Sequence, residues 1–189
     1  MTPMPEDRFW SVVEAATARE PEPSRAVRAL RAALGNLPPD EIAAFQATFR
    51  AMLRKAYTWD LWGAVHVLHG GASDDYFEDF RGWLISRGQR AFAAALADPD
   101  GMGEALPPGG TGERLPLEPG GVLDCEGFAF VAAEVWSRKV GEAGGTMPEA
   151  FETRDRAREP AGTQFQGNEA ALAARYPKLW RRFGKNPVN

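Results

Sequence analysis

The sequence predicts an all-α fold, one mainly helical domain with long irregular loops, and three observations predict it. Apolar residues recur at three- and four-residue intervals through most of the chain, without the sustained alternation that marks a half-buried strand. Serine, threonine, aspartate and proline stand where these periodic stretches begin, and glycines where they end, as helix caps do. Hydrophobic residues make up 44% of 189, enough to enclose one core at this length without covalent staples.

Each element follows in order. Behind Pro5-Glu6-Asp7, the residues Phe9, Trp10, Val13 and Ala16 mark a first helix whose opening turn carries acids that suit the helix dipole. Ser24 can cap a second helix, with Val27, Leu30 and Leu34 on its apolar face and a stop at Gly35-Asn36. Pro39, Asp40 and Glu41 open a third, which presents Ile42, Phe45, Phe49, Met52 and Leu53 and runs to about Tyr57. Thr58 either caps a fourth helix or lies within a continued third; Gly70-Gly71 ends the segment after His69 in both cases. Ser73 caps a fifth with Asp74 and Asp75 in its first turn and Tyr76, Phe77, Phe80, Trp83 and Leu84 on one face. Gly88 breaks the chain before a short sixth helix around Phe92 and Leu96.

Residues 98–121 then lose all periodicity to glycine and proline, and are expected to form a long loop or lid, the most mobile interior segment. Helix returns at about Leu123 to Val140, a second irregular stretch covers 141–167, and a final helix follows Asn168 and turns at Pro177. No internal repeat is present.

Composition excludes several classes of function. The one cysteine, Cys125, has no partner in the chain, which suits a reducing compartment. The N-terminus has neither the basic start nor the apolar core of a secretory signal, and no segment approaches the roughly 20 apolar residues of a membrane span. The expectation is a cytoplasmic protein with no membrane partner. A net charge of −4 argues against nucleic acid as a partner. The basic and aromatic cluster Lys178-Leu179-Trp180-Arg181-Arg182-Phe183-Gly184-Lys185 reads as a docked terminal helix with a solvated basic face. Nothing fixes an oligomeric state.

Chemistry-bearing side chains concentrate between Tyr57 and Trp83. At about 100° per residue, Trp59, Trp62, His66 and His69 fall on one narrow stripe beside a second of Leu61, Val65 and Leu68. That stripe is a packing face with hydrogen-bonded imidazoles, or the lining of a ligand pocket. An i, i+3 histidine pair can chelate a metal with Asp74 or Asp75 as oxygen donors, yet the pattern supplies no third fixed ligand, so neither metal nor cofactor is expected. Asp60 points off the stripe, as a cap or an ion-pair partner does. The N–H groups after Gly70-Gly71 would attract an anion, but Asp74 and Asp75 would repel it. Arg81, on one flank with Asp74 and Glu78, gives modest support if exposed; buried beside Phe80 and Trp83, it anchors a carboxylate or ties the preceding loop to its helix. Cys125 sits between Asp124 and Glu126, which oppose a thiolate, and no serine elbow, phosphate loop, zinc knuckle or dinucleotide fingerprint occurs.

The run Ala56-Tyr57-Thr58-Trp59-Asp60-Leu61-Trp62-Gly63-Ala64, continued by Gly70 to Asp75 and by Phe80-Arg81-Gly82-Trp83-Leu84-Ile85-Ser86, resembles the signature of an uncharacterised bacterial family, domain of unknown function 4240. Phe9-Trp10, Ala94-Ala95-Leu96-Ala97-Asp98-Pro99 and Arg175-Tyr176-Pro177-Lys178-Leu179-Trp180 match as well, so the resemblance spans most of the chain. It implies one domain and bacterial origin, with no settled activity. Members often carry cysteine at the position of Ala72 and often lack histidine at those of His66 and His69. The resemblance therefore moves the candidate site toward Tyr57, Trp59, Asp60, Trp62, Ser73, Asp74, Asp75, Arg81 and Trp83.

Three functions stand open on these residues. The first is a binding module that takes a small polar ligand or a protein segment in a Trp-, Asp- and Arg-lined pocket between the fourth and fifth helices. The second is a small tailoring or hydrolytic enzyme with Asp60 or Asp74 as general base and Arg81 orienting an anionic substrate. In the third, the motif only locks helix junctions.

Overall fold

Helices α1 (Glu6–Thr17), α2 (Pro23–Gly35), α3 (Pro39–Lys55), α4 (Trp59–His69), α5 (Asp74–Ser86), α6 (Gln89–Ala97), α7 (Met102–Ala105), α8 (Glu126–Val140), α9 (Glu169–Arg175) and α10 (Pro177–Phe183) follow one another along the chain. They come from a computed structural model that describes residues 2–17, 23–105, 126–141 and 159–184. The class is all-α: among the described residues the only β feature is an isolated parallel bridge between Thr58 and Ala161.

Local chemistry sets most boundaries. Thr58 is extended (φ −129°, ψ 144°), and its Oγ1 accepts the Leu61 N–H at 3.2 Å, so α3 and α4 are separate helices with a break at 56–58. Gly70 closes α4 in the left-handed region at φ 74°, where a side chain would be strained. Ser73 Oγ accepts the Tyr76 N–H at 3.2 Å and starts α5.

The structure differs from expectation at two places among the described residues. The stretch expected to be irregular from 98 begins instead with a 3-10 turn, Pro99–Gly101, that leads into α7. Asp98 caps that turn through Oδ1, which accepts the Gly101 N–H at 3.1 Å. Near the C-terminus Pro177 does not merely turn a final helix; it divides α9 from α10. Proline disfavours helical geometry in the residue before it, here Tyr176 at φ −127° and ψ 63°, and then opens α10 itself. Residues 106–121 of the expected mobile loop, 142–158 of the second irregular stretch, the Ser24 side-chain cap and Cys125 lie outside what is described.

One apolar cluster runs through the molecule. Helix α8 packs against α2, α3 and α5, adding Phe128, Val131 and Val135 to that cluster, with Phe128 6.1 Å from Phe49 of α3 between ring centres. Arg31 and Glu134 pair at 2.8 Å across α2 and α8. Helix α10 packs on α4, α7, α9 and the 3-10 turn, so the last helices cover the face of α4. Asp100 fixes that cover: its carboxylate accepts the Lys178 N–H at 3.0 Å and the Leu179 N–H at 2.9 Å, capping α10 from another part of the chain. Asp98 adds an ion pair to Lys178 at 2.7 Å, which holds its carboxyl below the usual carboxylate range.

Candidate functional site

The break between α3 and α4 gathers an aromatic stack. Trp62 lies between Trp59, with centroids 5.3 Å apart and planes 7° from parallel, and Phe77 of α5, at 5.0 Å and 12°. The Trp62 indole N–H donates to Ala72 O at 3.1 Å, which fixes its rotamer. Tyr57 flanks Trp62 and Phe77 at 6.3 and 6.1 Å. Beneath it lies buried Arg81, whose guanidinium sits 4.6 Å from the Tyr57 ring centre and 5.1 Å from that of Phe77. Arg81 Nε donates to Phe77 O at 3.3 Å and Nη1 to Leu53 O at 3.1 Å, so this side chain ties α3 to α5.

The segment 159–168 forms the facing wall. Trp59 N–H donates to Ala161 O and Ala161 N–H to Tyr57 O, both at 2.9 Å, which straps the segment to the start of α4. Arg175 secures its other end by donating to Asp60 Oδ1 and to Thr163 O, both at 3.0 Å. Tyr176, almost wholly buried, donates its hydroxyl to the Asp60 backbone oxygen at 3.0 Å and lies 3.2 Å from Asp60 Oδ1. Burial, with the Asp60 charge second, pushes this phenol above its ordinary range. The ring fits because position 63 has no side chain: a Cβ there would overlap the hydroxyl and stand 2.8 Å from Cζ.

Between stack and strap runs an open groove of about 370 Å³. Tyr57, Trp59, Trp62 and Asp74 line it from the helices, and Glu159, Pro160 and Gln164 from the strap. Asp74 and Glu159 are exposed, while the three rings are half-buried.

A family model described as protein of unknown function (DUF4240) matches residues 4–138, more than half of the chain. The chain belongs to this family. No curated protein and no solved structure matches it. In this DUF4240 protein the helical lining of the groove lies within the matched stretch, whereas Glu159, Pro160 and Gln164 lie beyond it. Sequence reasoning missed those three, because they fall in an aperiodic stretch whose only local mark is the turn chemistry of Pro160 and Gly162.

The other candidates lie apart from the groove lining of this DUF4240 protein. Asp60 is engaged by Arg175 and Tyr176 and joins helices. Arg81 is buried behind Tyr57, where its guanidinium reaches backbone oxygens and aromatic rings, and it is not among the residues that line the groove. Trp83 is buried against Phe80, at 5.3 Å between ring centres. Ser73 is the α5 cap and Asp75 an exposed first-turn residue. His66 Nδ1 accepts the Ala72 N–H at 3.2 Å, which puts the ring proton on Nε2. Burial, with His69 second, lowers the His66 pKa. His69 Nδ1 donates to Gly71 O, and its ring stacks on Tyr76 at 4.1 Å. Both imidazoles therefore brace the 70–72 turn. Among the described residues no three His, Cys, Asp or Glu side chains gather as a metal site would require.

Proposed function

We propose that this protein is a bacterial, cytoplasmic binding module that takes a small polar ligand or a protein segment in the groove between α4, α5 and the 159–168 strap. One observation carries the reading: aromatic and polar side chains from two helices and a distant segment converge on an open cleft of about 370 Å³, within the usual size range of ligand sites. Two of the three groups offered for catalysis support the same reading by their engagement elsewhere, Asp60 in the Arg175 pair and Arg81 beneath Tyr57, while Asp74 lines the groove. The compartment rests on the lone cysteine, and among the described residues no helix is long and apolar enough to cross a membrane.

The test is a screen of polar fragments against the nitrogen-15-labelled protein by two-dimensional NMR. The expected result is a set of shifts confined to the Trp59 indole N–H and the backbone amides of 57–62, 74 and 159–164. Shifts clustered elsewhere, or none from any fragment, would overturn the proposal.

A further inference from the structure

The groove has a sign. Among the described residues that line it, Asp74 and Glu159 carry negative charge, and none of the others carries a positive one. The two carboxylates come from opposite walls, the first turn of α5 and the strap, so a ligand lying in the cleft meets one on each side. The floor between them is aromatic. Trp62 stacks on both Trp59 and Phe77, and Trp59, half-buried and part of the lining, also meets Phe165 in a T-shaped contact at 6.0 Å. A π face flanked by carboxylates attracts a cation twice over, through the ring quadrupole and through simple charge, and disfavours an anion by the same fields. The ring cluster already holds one guanidinium, that of Arg81, 4.6 Å from the Tyr57 ring centre.

We propose that the groove selects an organic cation whose ammonium or guanidinium head lies against the aromatic floor between Asp74 and Glu159. This deepens the binding-module reading and rests on it. A metal ion fits less well. Two carboxylates on separate walls give a hard divalent cation too few oxygen ligands, and the described residues hold no cluster of three ligating side chains. An organic head, by contrast, uses the indole face as well as the charges.

The experiment titrates three probes of one shape into the labelled protein: choline, its neutral tert-butyl analogue, and the carboxylate of the same tert-butyl shape. The readout is the Trp59 indole N–H signal. Choline is expected to bind about tenfold more tightly than the neutral analogue, the combined scale of an exposed cation–π contact and partly screened ion pairs. Asp74→Asn and Glu159→Gln should each weaken choline about threefold and leave the neutral analogue unchanged, with the amide spectrum confirming that either variant is folded. A separate arm with an acetylated Gly-Lys-Gly peptide distinguishes the source. Tighter binding of the peptide assigns a protein segment, and tighter binding of choline a free small cation; both support the proposal. Equal binding of choline and the neutral analogue, preference for the carboxylate, or a choline affinity indifferent to both charge variants would overturn it while the binding reading stands. If no probe of any charge perturbs the groove, both fall.

Discussion

Replacing Gly63 with Ala tests how α4 is joined to the C-terminal helices. A Cβ at this position overlaps the Tyr176 hydroxyl and stands 2.8 Å from Cζ and 2.9 Å from Cε2, closer than such atoms approach. The ring cannot easily yield, since Tyr176 is 1% exposed and its hydroxyl is held at 3.0 Å by the Asp60 backbone oxygen. Overpacking of this kind costs about 1–3 kcal/mol. Tearing the buried phenol from its acceptor adds about 1–3 kcal/mol. Alanine returns about 1 kcal/mol of helix propensity, because glycine is a poor residue for a helix interior. The net loss is therefore about 3 kcal/mol, and at roughly 2–4 °C per kcal/mol for a chain of this size the Tm should fall by about 6–12 °C. Gly82 supplies the control: it lies inside α5, and an added Cβ there meets nothing within 4 Å. Gly82→Ala should raise stability by up to about 1 kcal/mol through propensity alone. Thermal unfolding by circular dichroism checks both, and if the two substitutions move the Tm in the same direction, the account of the Tyr176 notch is wrong.

His66 and Asp100 give two more expectations. The His66 pKa is lowered in the fold, so as pH drops the unfolded chain takes up this proton first; the stability present above the ordinary histidine range is lost as pH falls from about 7 toward the depressed value. His66→Asn retains an acceptor for the Ala72 N–H and removes the titration, so its Tm should decline less steeply between about pH 7 and about pH 5 than that of the parent. Equal slopes would refute the assignment. Asp100→Ala leaves the first N–H groups of α10 without their carboxylate and should cost about 1–2 kcal/mol by chemical denaturation, the scale of a lost N-cap. An unchanged midpoint would show that α10 is held by packing alone.

What was legible in the sequence was local. Thr58, Ser73 and Gly70 act within three or four residues of themselves, so their types and spacing sufficed to place the end of α4 and the start of α5, while the start of α4 at Thr58 stayed one of two alternatives until the structure separated α3 from α4. The Trp59–Trp62 stripe was visible for the same reason, and so was the core face of α5 with Phe80 and Trp83. The partner of Asp60 was not legible, because Arg175 stands 115 residues further on and no local period links them. The fate of Arg81 depended on whether it was buried, which a helical wheel leaves open; in the structure it is buried and reaches backbone oxygens of α3 and α5 and the rings of Tyr57 and Phe77. Asp100 was hidden in a stretch that reads as loop because its role is to serve a helix made from a different part of the chain.

The strap has a consequence for the order in which the molecule is made. Residues 159–184 wall the groove, notch Tyr176 against Gly63 and seat α10 on Asp100, and these contacts join distant parts of the chain, Asp100 and Leu179 being 79 residues apart. During synthesis α4 and α5 leave the ribosome long before that cover exists, with their stack and the floor of the cleft still open to water. Closing so distant a loop is slow compared with forming a helix, because chain entropy is lost before any contact is gained. The groove of the proposed binding module is therefore complete only once the strap has closed on α4. A nascent chain or a fragment cut within the strap carries the Trp59–Trp62 signature without the wall that Glu159, Pro160 and Gln164 supply.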